Sequence, residues 1–422
     1  MSAEAPDAAA PPSSTRPQLG MPELVALVAL LIGLNALAIN IMLPALGDIG
    51  AAFDIENPND RQLLVVVYLF SMGAAQLAYG PLADRFGRRP VMLAALGGYL
   101  IGSLLCIVAT SFTLLLVARA FQGLTTAAAR VVMVALVRDL SSGRRMAEIM
   151  SLASTVFLLV PVLAPGIGQL ILLVAPWRWV FVALFVYGAV MMTWTYLRVP
   201  ETLARDRRTP LQPRRVAMGF WRVASTPIAL GYTLASAALF GGFFGFISSS
   251  EQIFVETFDL GALFPLAFAA VSLAMTAATL LNARLVGRYG MRRLSHGAVA
   301  GLVVVSVLHA LVVLAAGESL FVFIGFISGA FFCLGLVLPN FNAIALEPLG
   351  AVAGTAAGAF GFMTTTLSAL LGGAIGRAYD GTTTPMVVGM AVFSAVGLGV
   401  VLITERGRLF HAAADHPERN RI

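Results

Sequence analysis

Charge is what this sequence has least of. Charged residues make up 11% of its 422 positions, where a soluble protein carries about 25%. A soluble chain of this length divides into two or three domains, each needing a polar exterior that this composition cannot supply. Lysine is absent altogether, so all 27 cationic side chains are arginines, and they lie mainly in short loops. The net charge of +6 therefore does not form the basic, aromatic-interleaved face that nucleic-acid binding requires. Two cysteines, Cys106 and Cys333, sit far apart in apolar stretches and exclude a disulfide framework. His296 and His309 have no metal-ligand companions at helical spacing. No phosphate-cradling Gly-rich loop and no nucleophile paired with a base is present, so neither nucleotide hydrolysis nor another enzymatic activity is expected.

What remains is 59% apolar, and lipid is its natural solvent. A bilayer-spanning helix takes about 20 apolar residues. The runs predict twelve: 22–46, 62–83, 91–109, 113–137, 146–174 and 178–197, then 226–249, 261–286, 294–315, 319–346, 354–379 and 384–404. The resulting plan is all-α: a polar N-terminal tail (1–20), a six-helix bundle (21–197), a linker (198–224), a second six-helix bundle (225–405) and a C-terminal tail (406–422). The Ala/Pro/Ser-rich start lacks the order of a signal peptide. Arg-rich short loops stay in the cytoplasm. The loops with Arg85, Arg88 and Arg89, with Arg138, Arg144 and Arg145, and with Arg288, Arg292 and Arg293 alternate with acidic loops at 47–60 and 250–260. Both termini and the linker are accordingly expected on the cytoplasmic side.

A repeat relates the halves. Gly80-Pro-Leu-Ala-Asp-Arg-Phe-Gly-Arg-Arg89 aligns with Ala283-Arg-Leu-Val-Gly-Arg-Tyr-Gly-Met-Arg292, each directly after the second helix of its half. With Arg119-Ala-Phe-Gln-Gly123 in the fourth helix and Pro161-Val-Leu-Ala-Pro-Gly-Ile-Gly168 in the fifth, these residues resemble the major facilitator superfamily, and within it the twelve-helix drug:proton antiporters. Leu43-Pro44-Ala45-Leu46, Arg138-Asp139, Trp177-Arg178 and Pro200-Glu201-Thr202 are similar to the Bcr/CflA multidrug subfamily. Ala164 and Gln169 depart from the antiporter glycine pattern.

The resemblance implies a monomeric bacterial inner-membrane exporter without cofactors, exchanging small lipophilic compounds or antibiotics for protons. It implies gating roles for Gly80, Asp84, Arg85, Gly87, Arg88 and Arg89, where the bland reading is that the arginines only enforce topology. Pro161, Pro165 and Gly168 would let the fifth helix bend and seal, or would serve packing alone. Arg119, costly in an apolar helix, either steers proton release or binds backbone carbonyls. Arg130, eleven residues on and on nearly the same face, faces a central cavity or its cytoplasmic mouth.

Position 40 breaks the pattern. In the family it resembles, many members place an Asp a few residues before the Leu-Pro of the first helix, and this chain has Asn40, an amide that cannot exchange a proton. Either the coupling carboxylate has moved, or no proton is used here, or the chain is a neutralised variant. Glu251 is the candidate for a moved carboxylate if its helix runs past Ser250; as a solvated helix-end residue it would bind neither proton nor cationic drug. Asn35, Tyr68, Tyr232, Gln252, Asn340 and Asn342 complete the candidate pathway, each with a helix–helix hydrogen bond as its plainer role. The alternative function is a proton-independent facilitator or importer of a small metabolite.

Overall fold

The computed structural model describes residues 20–410 apart from 142 and 212. The two tails, at 1–19 and 411–422, and the side chain of Arg144 lie outside the described residues. Fourteen α-helices run α1 (Met21–Asn40), α2 (Leu46–Ala52), α3 (Leu63–Phe86), α4 (Arg88–Val108), α5 (Phe112–Leu140), α6 (Gly143–Leu172), α7 (Arg178–Arg198), α8 (Pro213–Ser225), α9 (Pro227–Glu251), α10 (Phe264–Tyr289), α11 (Met291–Ala316), α12 (Leu320–Leu346), α13 (Ala353–Arg377) and α14 (Thr384–Thr404), with no strand among the described residues. Twelve spans are long and apolar enough to cross a membrane, with α1 and α2 sharing one span and α8 outside them all.

Three departures from the sequence expectation have local causes. The first span breaks after Asn40, and its continuation is a 3-10 turn, Leu43–Ala45, followed by α2. Pro44 accounts for the break, because its ring has no N–H to give and crowds the carbonyl four residues back, that of Asn40. The seventh span runs further than the apolar run, through Glu251 and on as a π-helical turn, Gln252–Thr257. The linker contains α8, whose polar composition hid it from a search for apolar runs. Its Val223 is buried beside Ala229, Leu349, Ala356 and Ala359, and the Phe220 ring lies tilted against Phe362, 6.2 Å between centroids.

Helices α1–α7 pack among themselves, as do α9–α14, and the halves meet where α3 lies against α13 and α6 against α10. Two ends are distinguished by charge: an Arg-rich end carrying the 84–90 and 287–293 loops, and an acid-rich end carrying residues 47–60 and 250–260. The α3–α13 seam is made by small residues. A Cβ on Gly73 would lie 3.0 Å from the backbone nitrogen of Thr366, and one on Gly373 3.1 Å from the Val66 methyls. Midway along it, Gln76 donates to Thr365 Oγ1 at 3.2 Å.

Candidate functional site at the interface of the two halves

At the acid-rich end a short 3-10 turn, Pro58–Gln62, carries polar side chains from the first half into the second. Asn57 caps it by accepting the Asn59 N–H at 3.0 Å. Asn59 then donates to the carbonyls of Arg377 (3.1 Å) and Tyr379 (2.7 Å), and accepts from Gln252 Nε2 at 2.8 Å. Gln62 donates to Gln252 Oε1. Arg61 is buried and reaches two acids at once, Glu256 and, at 3.4 Å, Glu251. Asp60 lies 3.7 Å from Arg377. The Tyr379 hydroxyl pairs with Thr257 Oγ1 at 2.9 Å and donates to the Gln252 carbonyl at 3.3 Å. Together these contacts form a polar lock across the interface.

The core of the first half holds Arg119, fully buried. Its guanidinium donates to the carbonyls of Leu64 and Ala38, both at 3.3 Å, and to Gln122 Oε1 at 2.5 Å. It also lies over the Tyr68 ring, 4.3 Å from the centroid. Among the described residues no carboxylate lies within salt-bridge distance of Arg119. Asn40, two residues beyond Ala38, donates to the Ala36 carbonyl at 2.7 Å, and its Oδ1 is buried without a partner. Arg130, further along α5, is exposed.

At the Arg-rich end the two repeat loops close on their own halves. Arg88 binds Asp84 (2.6 Å) and Asp139 (3.2 Å), and its N–H donates to Glu201 at 3.0 Å. Gly87 has φ +103°, and a Cβ there would run into the Glu201 carboxylate, so glycine is required twice over. Arg89 donates to the Tyr196 carbonyl at 2.7 Å, and Arg85 is exposed. In the second half Arg292 binds Glu405 (3.0 Å) and Glu347 (3.5 Å). The contacts of Asp84, Arg88 and Arg89 thus lie within the first half and the linker, where Thr209 N–H donates to the Asp84 carbonyl at 3.1 Å.

Two six-helix halves, a repeat loop at the same place in each and a polar interface between them define an architecture, and comparison with known proteins decides its family. Residues 25–373 match the sequence profile of the Major Facilitator Superfamily. The chain belongs to that superfamily. This major facilitator protein is 27% identical over 379 residues, 87% of this chain and 92% of the relative, to the bicyclomycin resistance protein homolog of Haemophilus influenzae. It is 36% identical to the multidrug resistance protein MdtL of Escherichia coli over 160 residues, 37% of this chain and 41% of that one. The fold is that of the xylose transporter XylE of E. coli in a partially occluded inward open conformation, with TM-score 0.72, 11% identity, and 92% and 97% of the two chains covered. The human organic anion transporter MFSD10 superposes with TM-score 0.65 at 20% identity, covering 92% of this chain and 99% of that one. The protein is a multi-pass membrane transporter of small-molecule substrates, and its family and relatives are transporters rather than enzymes.

The remaining candidates of this major facilitator transporter are dispersed. Glu251 and Gln252 are in the lock. Tyr68 packs on Arg119, and Asn35 is half-buried with an unpartnered Oδ1. Tyr232 lies inside the second half, where its hydroxyl donates to Glu405 and pairs with His296 Nε2, both at 2.7 Å. Asn340 donates to Asn282 Oδ1 at 2.6 Å, tying α12 to α10, and Asn342 is half-buried on α12. Pro161 and Pro165 lie inside α6. Gly168 brings α6 against the broken first span, where a Cβ would strike the Ile41 carbonyl and lie 3.0 Å from Pro44. A Cβ on Gly80 meets no atom within 4 Å. Sequence reasoning missed Asn59, Arg61, Gln62, Glu256, Arg377 and Tyr379, which look like ordinary loop residues until the fold brings the 58–62 and 377–379 segments together.

A prediction arises at Asn40. Asn40→Asp removes the donor to the Ala36 carbonyl and places an ionisable group two residues from Ala38, whose carbonyl is held by the buried Arg119. Transport rate measured from pH 5.5 to 8.5 is expected to fall off more steeply with pH in the variant than in the parent. Superimposable profiles would show that position 40 takes no part in proton handling.

Proposed function

We propose that this transporter exports small lipophilic compounds, antibiotics among them, from the bacterial cytoplasm in exchange for protons. It does so as a monomer in the inner membrane, with both termini and the Arg-rich end in the cytoplasm. The observation that carries the reading is the asymmetry of the interface. The halves are locked by side-chain bonds at the acid-rich end, while the signature loops at the other end bind their own halves and the linker. That arrangement suits the inward-facing state of an alternating-access cycle, closed to the outside and loading from the cytoplasm or inner leaflet. Loops that now bind Asp139 and Glu201 are free to take helix ends of the other half when that end closes. The names of the two resistance relatives support export and a drug-like substrate. A bias of about 5.5 kcal/mol takes a two-state equilibrium from 1:99 to 99:1, so proton and substrate binding each need supply only a few kcal/mol of preference.

One observation favours a second reading. The amide at position 40 removes the proton site that relatives use, as a proton-independent facilitator or importer would. Purified protein in liposomes, loaded with a fluorescent lipophilic cation, separates the two. An imposed pH gradient is expected to drive uphill accumulation that collapses with a protonophore, whereas transport that equilibrates the cation equally with and without the gradient would sink the exchange reading.

A further inference from the structure

We infer that the proton driving this exchange binds at Glu251, inside the lock that joins the two halves. The inference deepens the exchange reading and rests on it. Among the described residues, Glu23 pairs with Arg198 at 2.5 Å, Glu405 with Arg292 and Tyr232 and Glu318 with His309, each within one half, while Asp60 crosses to Arg377 but is only half-buried. Glu251 is 3% exposed, and its ion pair spans the interface that must part in every transport cycle.

The charges around it do not balance. Arg61, on the turn before α3, is shared with Glu256 of the π-helical turn, which it binds more closely than Glu251. Asp48 on α2 adds repulsion, and the Tyr379 phenol, beyond α13, interacts electrostatically with the same group. Glu251 and Glu256 thus share one guanidinium, and Asp48 adds a further negative charge acting on Glu251. Glu251 Oε2 makes no hydrogen bond despite its burial, and Oε1 lies 3.1 Å from where a Cβ on Gly47 would stand. A buried charge without hydrogen bonds is expensive. A proton removes that cost, since the neutral carboxyl leaves Arg61 to Glu256 and relieves the repulsion from Asp48.

Closure at the acid-rich end is therefore linked to protonation. When that end is open, Glu251 meets outside water and takes a proton on one carboxylate oxygen. The neutral side chain can then be buried as the lock forms. The proton leaves later when the O–H bond breaks and a water molecule entering from the interior side takes it as hydronium; Ser248 and Ser249, the turn before Glu251, present buried hydroxyls without partners that can bind such a water. Substrate loading and proton loss then favour reopening outward. The coupling carboxylate absent at position 40 is supplied from the other half.

Two arms test this. In the first, nitroxide pairs on exposed Glu56→Cys and Ala378→Cys, in a background with Cys106 and Cys333 replaced by Ala, report the acid-rich opening by pulsed electron resonance. Lowering pH from 8.5 to 5.5 is expected to raise the short-distance population, and Glu251→Gln is expected to show that population at every pH. No pH shift in the parent overturns the proposal, and so does a shift that persists in Glu251→Gln. In the second arm, pH-gradient-driven accumulation in liposomes should fall at least tenfold in Glu251→Gln while substrate-for-substrate exchange continues. Gradient-driven accumulation that survives in Glu251→Gln overturns the Glu251 assignment alone. Its absence from the parent overturns the exchange reading, and with it the proton role. Should the Gln variant not fold, the parent's distance response still decides.

Discussion

Arg119→Ala is expected to reduce transport at least tenfold and to lower the thermal stability of the detergent-solubilised protein. The side chain connects three spans. It ties the carbonyl of Ala38 on α1 to that of Leu64 on α3 and to Gln122 on its own helix, and covers the Tyr68 ring. Hydrogen bonds from a charged donor contribute about 1.5–3 kcal/mol each, and truncating the donor leaves buried acceptors unpaired. Gln122 is itself tied to Ser103 on α4 at 2.8 Å, so the loss spreads to a fourth span. Arg119→Lys keeps the charge but not the planar fork that reaches two carbonyls and an amide together. It should recover stability only in part. Unfolding midpoints read alongside transport decide the matter: full activity in Arg119→Ala would show the cluster to be dispensable.

Gly73→Val acts on the other interface, the one between the halves. A Cβ there stands 3.0 Å from Thr366 backbone nitrogen and 3.2 Å from Thr365 Cβ, and valine adds two methyls where α13 cannot yield without moving its backbone. Overpacking of this kind costs about 1–3 kcal/mol. On the alternating-access reading proposed above, the cost falls on the state in which the α3–α13 seam is closed. Each half should fold normally, the equilibrium should shift by about 5- to 150-fold toward the state open at that end, and net transport should fall accordingly. Labelling of Thr366→Cys by a membrane-impermeant maleimide reads the shift, with Gly97→Ala, whose Cβ meets nothing within 4 Å, as the control. Labelling no faster than in the parent would contradict the argument.

Much of the architecture could be read from sequence because lipid imposes a simple rule: every span must satisfy its own backbone, so long apolar runs are helices. That rule is blind where helices are neither long nor apolar. It missed α8, which buries only one stripe and exposes Trp221 at 69%, and it drew the first span unbroken although Pro44 was in plain sight. Arg119 was legible as a residue that must be paired, because a permanent cation in an apolar helix has few other options. The lock was not. Asn59, Arg61 and Gln62 look like the solvated start of a helix, and only the approach of a segment about 190 to 320 residues away makes them an interface. For Glu251 the sequence left two fates open, and the continuation of α9 through the π-helical turn places it among buried neighbours.

The linker, finally, sets a mechanical limit. Thr209 is pinned to the first half through the Asp84 carbonyl, and α8, beginning at Pro213, rides on α13 of the second through Gly219 against Thr355 and Phe220 against Phe362. Between those anchorages lie four residue steps, a leash of about 14 Å at full extension. However the two halves rock, the Arg-rich mouth cannot gape wider at that edge without first peeling one anchorage away. The linker thus bounds how far those two points can separate while both anchorages hold.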